Sequence, residues 1–335
     1  MRLRKKIRNR LIQIIAKKLM ETQKEELKPS NPLDGGVLDP QPLEPLQDAH
    51  KKGAFSSIVA RTVTGVVFVA VIVLCLMNPI AFVVLFGSLT GLMVWEFCTL
   101  VNSQLHLQVN TLITTMMSVY FFFAVFDCQT NVTGLGLGTF FPVLISNMYL
   151  LISELYLGGF RKIENWAFAF MAFLYIAVPM SMLNVMAFIG VEGGLAYVVI
   201  LNLSVFVFIW CSDTGAYLIG SKFGKRRLFP SISPNKSWEG TIGGGLVAIL
   251  ASQVFATFSM DLNSGSELMN RLLWAGLAAV VVVFGTWGDL VESRLKRKLG
   301  VKDSGNILPG HGGWLDRFDS ALMAIPAAAI YLYFI

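Results

Sequence analysis

Residues 310–335 read GHGGWLDRFDSALMAIPAAAIYLYFI, with two aspartates, an arginine and a histidine crowded against a long apolar run. Charge beside a segment suited to lipid is expensive and persists mainly where it holds something. Working back from this end, further apolar runs lie at about 58–77, 79–101, 110–127, 135–153, 166–189, 194–211, 241–258 and 270–288, which with 319–335 makes nine. A bilayer crossing takes ~20 mostly apolar residues as helix, and backbone in lipid must satisfy its own hydrogen bonds. The expected fold class is therefore an all-α polytopic membrane protein of about nine transmembrane helices. Composition agrees: the chain is 55% hydrophobic and only 14% charged, against ~25% charged in soluble domains. The cysteines, Cys75, Cys98, Cys128 and Cys211, are scattered without a C-x-x-C and read as small buried hydrophobes.

Three regions follow along the chain. Residues 1–28 place Leu3, Ile7, Leu11, Ile14, Ile15 and Leu19 at helical spacing, with basic residues on the opposite face. That pattern suits a helix lying on an anionic membrane surface, and a cleavable organelle-targeting peptide is the alternative, because the first twenty residues carry no acid. Residues 29–57 form a Pro-rich linker, and 58–335 the membrane domain, with its catalytic part at about 210–320. Lys and Arg fix the expected orientation. Thirteen of the 27 precede residue 62, and loops 154–165, 212–240 and 289–318 hold 2, 5 and 6. With nine spans and a cytoplasmic N-terminus, all of these fall on the cytoplasmic side and only Arg271 lies near the other face. The net charge of +6 is thus placed for a membrane, not for nucleic acid.

Chemistry is expected in the two long polar loops. On a helix over 289–300, Asp289, Ser293, Lys296 and Gly300 share one face. Asp316 and Asp319 are three apart, so one helical turn presents both carboxylates at the start of the ninth span. Asp289, Asp316 and Asp319 brought together repel unless a cation lies between them, and hard oxygen ligands select Mg²⁺ or a similar ion, with a second cation as a further candidate. The plainer reading makes Asp316 a helix cap and pairs Asp319 with Arg317 or a neighbour. Lys296, Arg297 and Lys302 beside the acids favour a nucleoside triphosphate, whose phosphates meet the bases while metal bridges them. In SPNKSWEG, Lys236 and Ser237 precede the seventh span and suit phosphate. His311 is either a phosphate contact or a structural hydrogen-bonder, and Asp213 either a site carboxylate or a helix-end polar group. Glu96 stands inside an apolar run, and the glycines at 243–245 suit close helix packing. No G-x-x-x-x-G-K-[ST] occurs, so an ATPase P-loop is unsupported.

The stretch SRLKRKLGVKDSGNILPGHGGWLDRFDS, 293–320, closely resembles the signature of the phosphatidate cytidylyltransferase (CDP-diacylglycerol synthase) family. Ser293, Lys296, Arg297, Lys302, Asp303, His311, Gly312, Gly313, Asp316, Arg317 and Asp319 stand at the signature's positions, and DTGAY with SPNKSWEG is similar to the family's second block. Trp314 departs from the usual aliphatic residue. The specific resemblance covers roughly 210–320. It implies Mg²⁺-dependent transfer of CMP from CTP to phosphatidic acid, a metal centre at Asp289 and Asp316, and Ser293 and Lys296 lining the site. The expected partners are CTP, phosphatidic acid and membrane lipids, with a second copy of the chain as a further candidate. An ion-coupled transporter and a CTP-dependent lipid kinase are the rival classes.

Overall fold

Apolar runs of this length become helices because no other local structure satisfies the backbone in hydrocarbon. The computed structural model describes residues 63–157, 163–191, 194–258, 262, 266–305 and 312–335. The N-terminal segment 1–28, the linker 29–57 and His311 lie outside these residues.

Each of the nine apolar runs is represented by helix. α1 (Val63–Leu76) is followed by α2 (Pro79–Leu105), and the break between them is chemical. Asn78 accepts from the amides of Ile80 at 2.9 Å and Ala81 at 3.1 Å, and Pro79 takes the first helical position, where a missing N–H costs nothing. α3 (Thr111–Thr130) and α4 (Phe141–Leu157) follow. α5 (Ile163–Ala172) passes through a π turn at Phe173–Ala177 into α6 (Val178–Ala187). Then come α7 (Val199–Phe223), α8 (Trp238–Phe258) and α9 (Glu267–Lys298). The four-residue α10 (Leu315–Phe318) precedes α11 (Ala321–Phe334). Among the described residues seven helices, counting α5 to α6 as one, are long and apolar enough to cross a membrane. α11 has 14 residues and at 1.5 Å per residue reaches about 21 Å, short of a ~30 Å hydrocarbon core.

The chain is not purely helical. Antiparallel hairpins pair β1 (Phe188–Val191) with β2 (Gly194–Tyr197), and β3 (Arg227–Phe229) with β4 (Ser233–Ser237). The first takes residues expected at the ends of the fifth and sixth spans. Gly194, at φ 151, supplies a backbone angle that side chains resist. The second correction concerns the loop expected at 212–240. α7 continues to Phe223 and α8 starts at Trp238, so only about 224–237 connects them. The reason is packing. A Cβ on Gly215 would come 2.9 Å from the Gly244 Cα, and one on Gly240 would come 2.9 Å from the Ala216 carbonyl. Small residues on both helices let the backbones touch, and contact holds polar Ser212–Phe223 helical.

Aromatic side chains tie the polar end to the core. Phe86 stacks on Phe206 at 5.7 Å, and Phe206 meets Phe318 edge-on at 6.2 Å. Phe318 is fully buried, which contributes ~1.5–3 kcal/mol and anchors the turn between Asp316 and Asp319.

Candidate active site

α9 runs on beyond its apolar stretch and carries Asp289, Glu292, Ser293 and Lys296 in its last turns. The expected shared face is present: Ser293 Oγ donates to Asp289 Oδ1 at 3.1 Å. The helix stops where Gly300 takes φ 74, a left-handed angle suited to a helix end. The chain then returns to α10 and α11, and Gly288 controls how close it comes. A Cβ there would lie 2.5 Å from the Asp319 carbonyl and 3.2 Å from Ser320 Cα. Glycine at 288 therefore seats the Asp319 turn against the Asp289 turn of α9.

Two acidic groups result. In the first, Lys236 pairs with Asp289, and Asp213, Asp289 and Asp319 are close enough to one another, and to Lys236, to interact electrostatically. Asp319 also accepts from the Ser320 amide at 2.5 Å. Asp213 lies inside α7, not at its end as the sequence suggested. This group borders a cavity of about 590 Å³ lined by Asp213, Arg227, Asn235, Lys236, Ser237 and Thr286, among others. Ser237 is buried, and its hydroxyl accepts from the Gly240 amide at 3.2 Å, so it caps α8 as well as lining the cavity.

The second group is centred on Lys296. Its ammonium contacts Asp316 Oδ1 at 2.5 Å and Glu292 Oε2 at 3.0 Å, and the side-chain exposures are 13% for Lys296, 9% for Asp316 and 0% for Glu292. The other Asp316 oxygen accepts from the amides of Ser304 at 2.8 Å and Gly313 at 2.9 Å. Burial acts to raise the Asp316 carboxyl. The Lys296 hydrogen bond and the two amides outweigh it and hold the group below its ordinary value of 3.8. Glu292 is close enough to both Asp316 and Asp319 to couple the two groups.

Sequence reasoning missed the residue that organises this end, Glu96. It is buried in α2 and accepts from the Trp314 amide at 2.8 Å and the Leu315 amide at 3.4 Å. The Ser304 hydroxyl lies between Glu96 Oε1 and Asp316 Oδ2, with one proton to share between two carboxylates. A Cβ on Gly313 would collide with Glu96 and Ser304, so glycine is required there. Its one sequence signal was a lone acid within an apolar run. Glu292, a buried acid between Asp289 and Lys296 in the charged last turns of α9, was missed as well. Trp314 packs its ring against Phe68 at 6.4 Å.

The structure thus brings Asp213, Lys236, Asp289, Ser293 and Asp319 together, and joins Lys296 to Asp316. Arg297, Lys302, Asp303 and Arg317 are exposed around this end. Among the described residues no three carboxylate, histidine or cysteine side chains stand in metal-ligand arrangement, and Lys236 and Lys296 lie against the acids. The oxygen donors are nevertheless of the type that holds a hard divalent ion, so the residues fit one in kind.

A sequence profile described as the cytidylyltransferase family matches residues 59–335. The chain belongs to the cytidylyltransferase family. Among similar proteins, the phosphatidate cytidylyltransferase of Haemophilus influenzae is 43% identical over 135 residues, covering 40% of this chain and 46% of that protein. Those of Staphylococcus haemolyticus and Staphylococcus epidermidis are 40% and 41% identical over 191 residues, 56% of this chain and 68% of each relative. The chain therefore matches about half to two thirds of the length of these relatives. The family match takes in both acidic groups and every membrane-length helix among the described residues.

Proposed function

We propose that this cytidylyltransferase-family protein transfers CMP from CTP to phosphatidic acid, giving CDP-diacylglycerol and pyrophosphate, a step of phospholipid biosynthesis. The observation that carries the reading is the meeting of a lysine-compensated acid cluster with a polar cavity at the ends of membrane-length helices. One substrate is lipid and the other water-soluble, and only such a boundary serves both.

A phosphate oxygen of phosphatidate attacks the α-phosphorus of CTP in line. One P–O bond forms, the bond between α- and β-phosphates breaks, and pyrophosphate leaves with its electron pair. The nucleophile is already an anion near neutral pH, so no side chain need remove a proton. What the chain must do is suppress repulsion between two anions. Lys236, with Arg227 on the same cavity wall, suits the triphosphate. Lys296, Arg297 and Lys302 suit the departing pyrophosphate, and Ser293 holds Asp289 in orientation. A divalent ion such as Mg²⁺ would supply charge neutralisation at the phosphates; Asp289 and Asp319 of the first group would hold it, and Asp316 would join them only on release from Lys296. The Lys and Arg distribution favours a cytoplasmic N-terminus and a cytoplasmic active site.

Mass spectrometry of lipids after incubating the purified protein with CTP, Mg²⁺ and mixed phospholipids tests this directly. CDP-diacylglycerol is the expected product. A phosphorylated lipid without cytidine, or no new lipid, overturns the assignment.

A further inference from the structure

Tyr175 is carried by the π turn Phe173–Ala177, a wide turn that is rare and tends to mark functional positions. Its hydroxyl is buried and, among the described residues, has no hydrogen-bond partner. Such a group is costly to retain unless something completes it. The hydroxyl is close enough to Glu292, Asp319 and Asp289 to interact with them electrostatically. Tyr175 is thus within electrostatic range of the acidic site and shares a cavity wall with Val291 and Leu322, the neighbours of Glu292 and the Asp319 turn, while its own helix contributes none of that site's charges.

Tyr175 also lines a cavity of about 640 Å³ between α5–α6, α9 and α11, walled by Leu174, Phe284, Met323, Ala327 and Ile330, among others. Every side chain lining it is apolar except for two tyrosine hydroxyls, and Tyr331 is satisfied by donating to the Leu273 carbonyl at 2.9 Å. Among the described residues, that leaves Tyr175 as the one unsatisfied polar group of the wall. Leu174 and Ile330 on the rim are 61% and 55% exposed, so the cavity is open sideways along the membrane-length helices. An occupant must be apolar along its length and present an acceptor where it meets the carboxylates. A neutral O–H grips an anionic oxygen there without cancelling the acids' charge, which an ammonium would do.

We propose that this cavity takes an acyl chain of the lipid phosphate substrate, and that Tyr175 donates its hydroxyl proton to a head-group oxygen at the boundary with the acidic site. The inference rests on the function proposed above and adds to it a lipid subsite and a head-group ligand.

The test uses the full-length protein in detergent, with CTP and either dioleoyl- or dihexanoyl-phosphatidate. Tyr175→Phe should raise KM for phosphatidate about tenfold while KM for CTP moves less than twofold. A merely structural role would shift both or neither. Ala327→Trp should lower the ratio of kcat/KM for dioleoyl- over dihexanoyl-phosphatidate at least fivefold. Ile330→Trp, on the exposed rim, gives the same readout if Ala327→Trp does not accumulate. Tyr175→Phe kinetics within twofold of wild type, or an unchanged chain-length ratio in the tryptophan variants, overturns the subsite. Wild-type protein that makes no CDP-diacylglycerol overturns the proposed function itself, so the two failures are distinguishable.

Discussion

Glu96 offers the sharpest test of how the site is held, because it contacts the loop that carries Asp316 from a helix far away in sequence. Glu96→Ala removes the acceptor for the Trp314 amide at 2.8 Å, the weaker Leu315 contact at 3.4 Å and the partner of the Ser304 hydroxyl. Two good hydrogen bonds to a buried charge are worth ~1.5–3 kcal/mol each, so the loss is roughly 3–6 kcal/mol, a large part of a total stability of ~5–15 kcal/mol. Glu96→Gln keeps one oxygen for the Trp314 amide, and the Ser304 hydroxyl can rotate to accept from the new NH₂, so its cost is ~1 kcal/mol. Freed of Glu96, the 312–319 turn no longer fixes Asp316, and a misplacement near 1 Å at such a site costs ~10²-fold in rate. Thermal unfolding of detergent-solubilised protein, paired with CTP-dependent lipid turnover, reads both effects. The expected order is wild type, then Gln slightly below, then Ala far below with turnover down about 100-fold. An Ala variant with unchanged melting and turnover within twofold would refute the clamp.

Other outcomes follow from the same contacts. Gly244→Ala would press a Cβ into the Ser212 carbonyl, whereas a Cβ at Gly245 meets only Val282 Cγ1 at 3.5 Å. Gly244→Ala should therefore destabilise by ~1–3 kcal/mol and Gly245→Ala should be neutral or stabilising; equal melting temperatures would contradict the α7–α8 contact. Asp316→Asn should lower CTP-dependent turnover at least tenfold, ~1.4 kcal/mol of barrier, and a smaller loss argues against a role at the reacting phosphates. Lys296→Met leaves Glu292 and Asp316 buried without their cation, expected to cost ~3–5 kcal/mol and visible as loss of folded protein in detergent. Asp316 titrates below 3.8 when folded, so its stabilising contribution is complete above about pH 4 and is lost as pH falls through the folded value. Melting measured down to pH 3 should fall more steeply for wild type than for Asp316→Asn, and parallel curves would show the carboxylate is not held as described.

Helix positions were legible in the sequence because apolar length is a local property. Each run holds a helix among the described residues, with strands taking the facing ends of the fifth and sixth, and the shared face of Asp289, Ser293 and Lys296 follows from spacing alone. What was not legible depends on contact between distant segments. The polar residues from Ser212 to Phe223 read as loop, and they are helix because Gly240 and Gly244 come up against them. Asp316 and Asp319 read as a joint pair. In the fold each has its own company: Asp316 takes Lys296 and the Ser304 and Gly313 amides, and Asp319 faces Asp289 and Asp213. Glu96 and Tyr175 lie in apolar stretches where a single polar side chain gives no pattern, Glu292 is one charge among many in 289–298, and their surroundings emerge only when other helices meet them. The charged signature marked the candidate site, while Glu96 in an apolar helix holds the turn that carries Asp316.

The account's central claim is nucleotidyl transfer to a lipid phosphate at the acid-and-lysine end of these helices. CTP labelled either at the α- or at the γ-phosphate, supplied with phosphatidate and Mg²⁺ to the purified protein, tests it most directly. The account predicts α-label in the lipid fraction and γ-label released as pyrophosphate, with both signals reduced at least tenfold in Asp289→Asn. Transfer of γ-label to lipid, or undiminished transfer by Asp289→Asn, would contradict it.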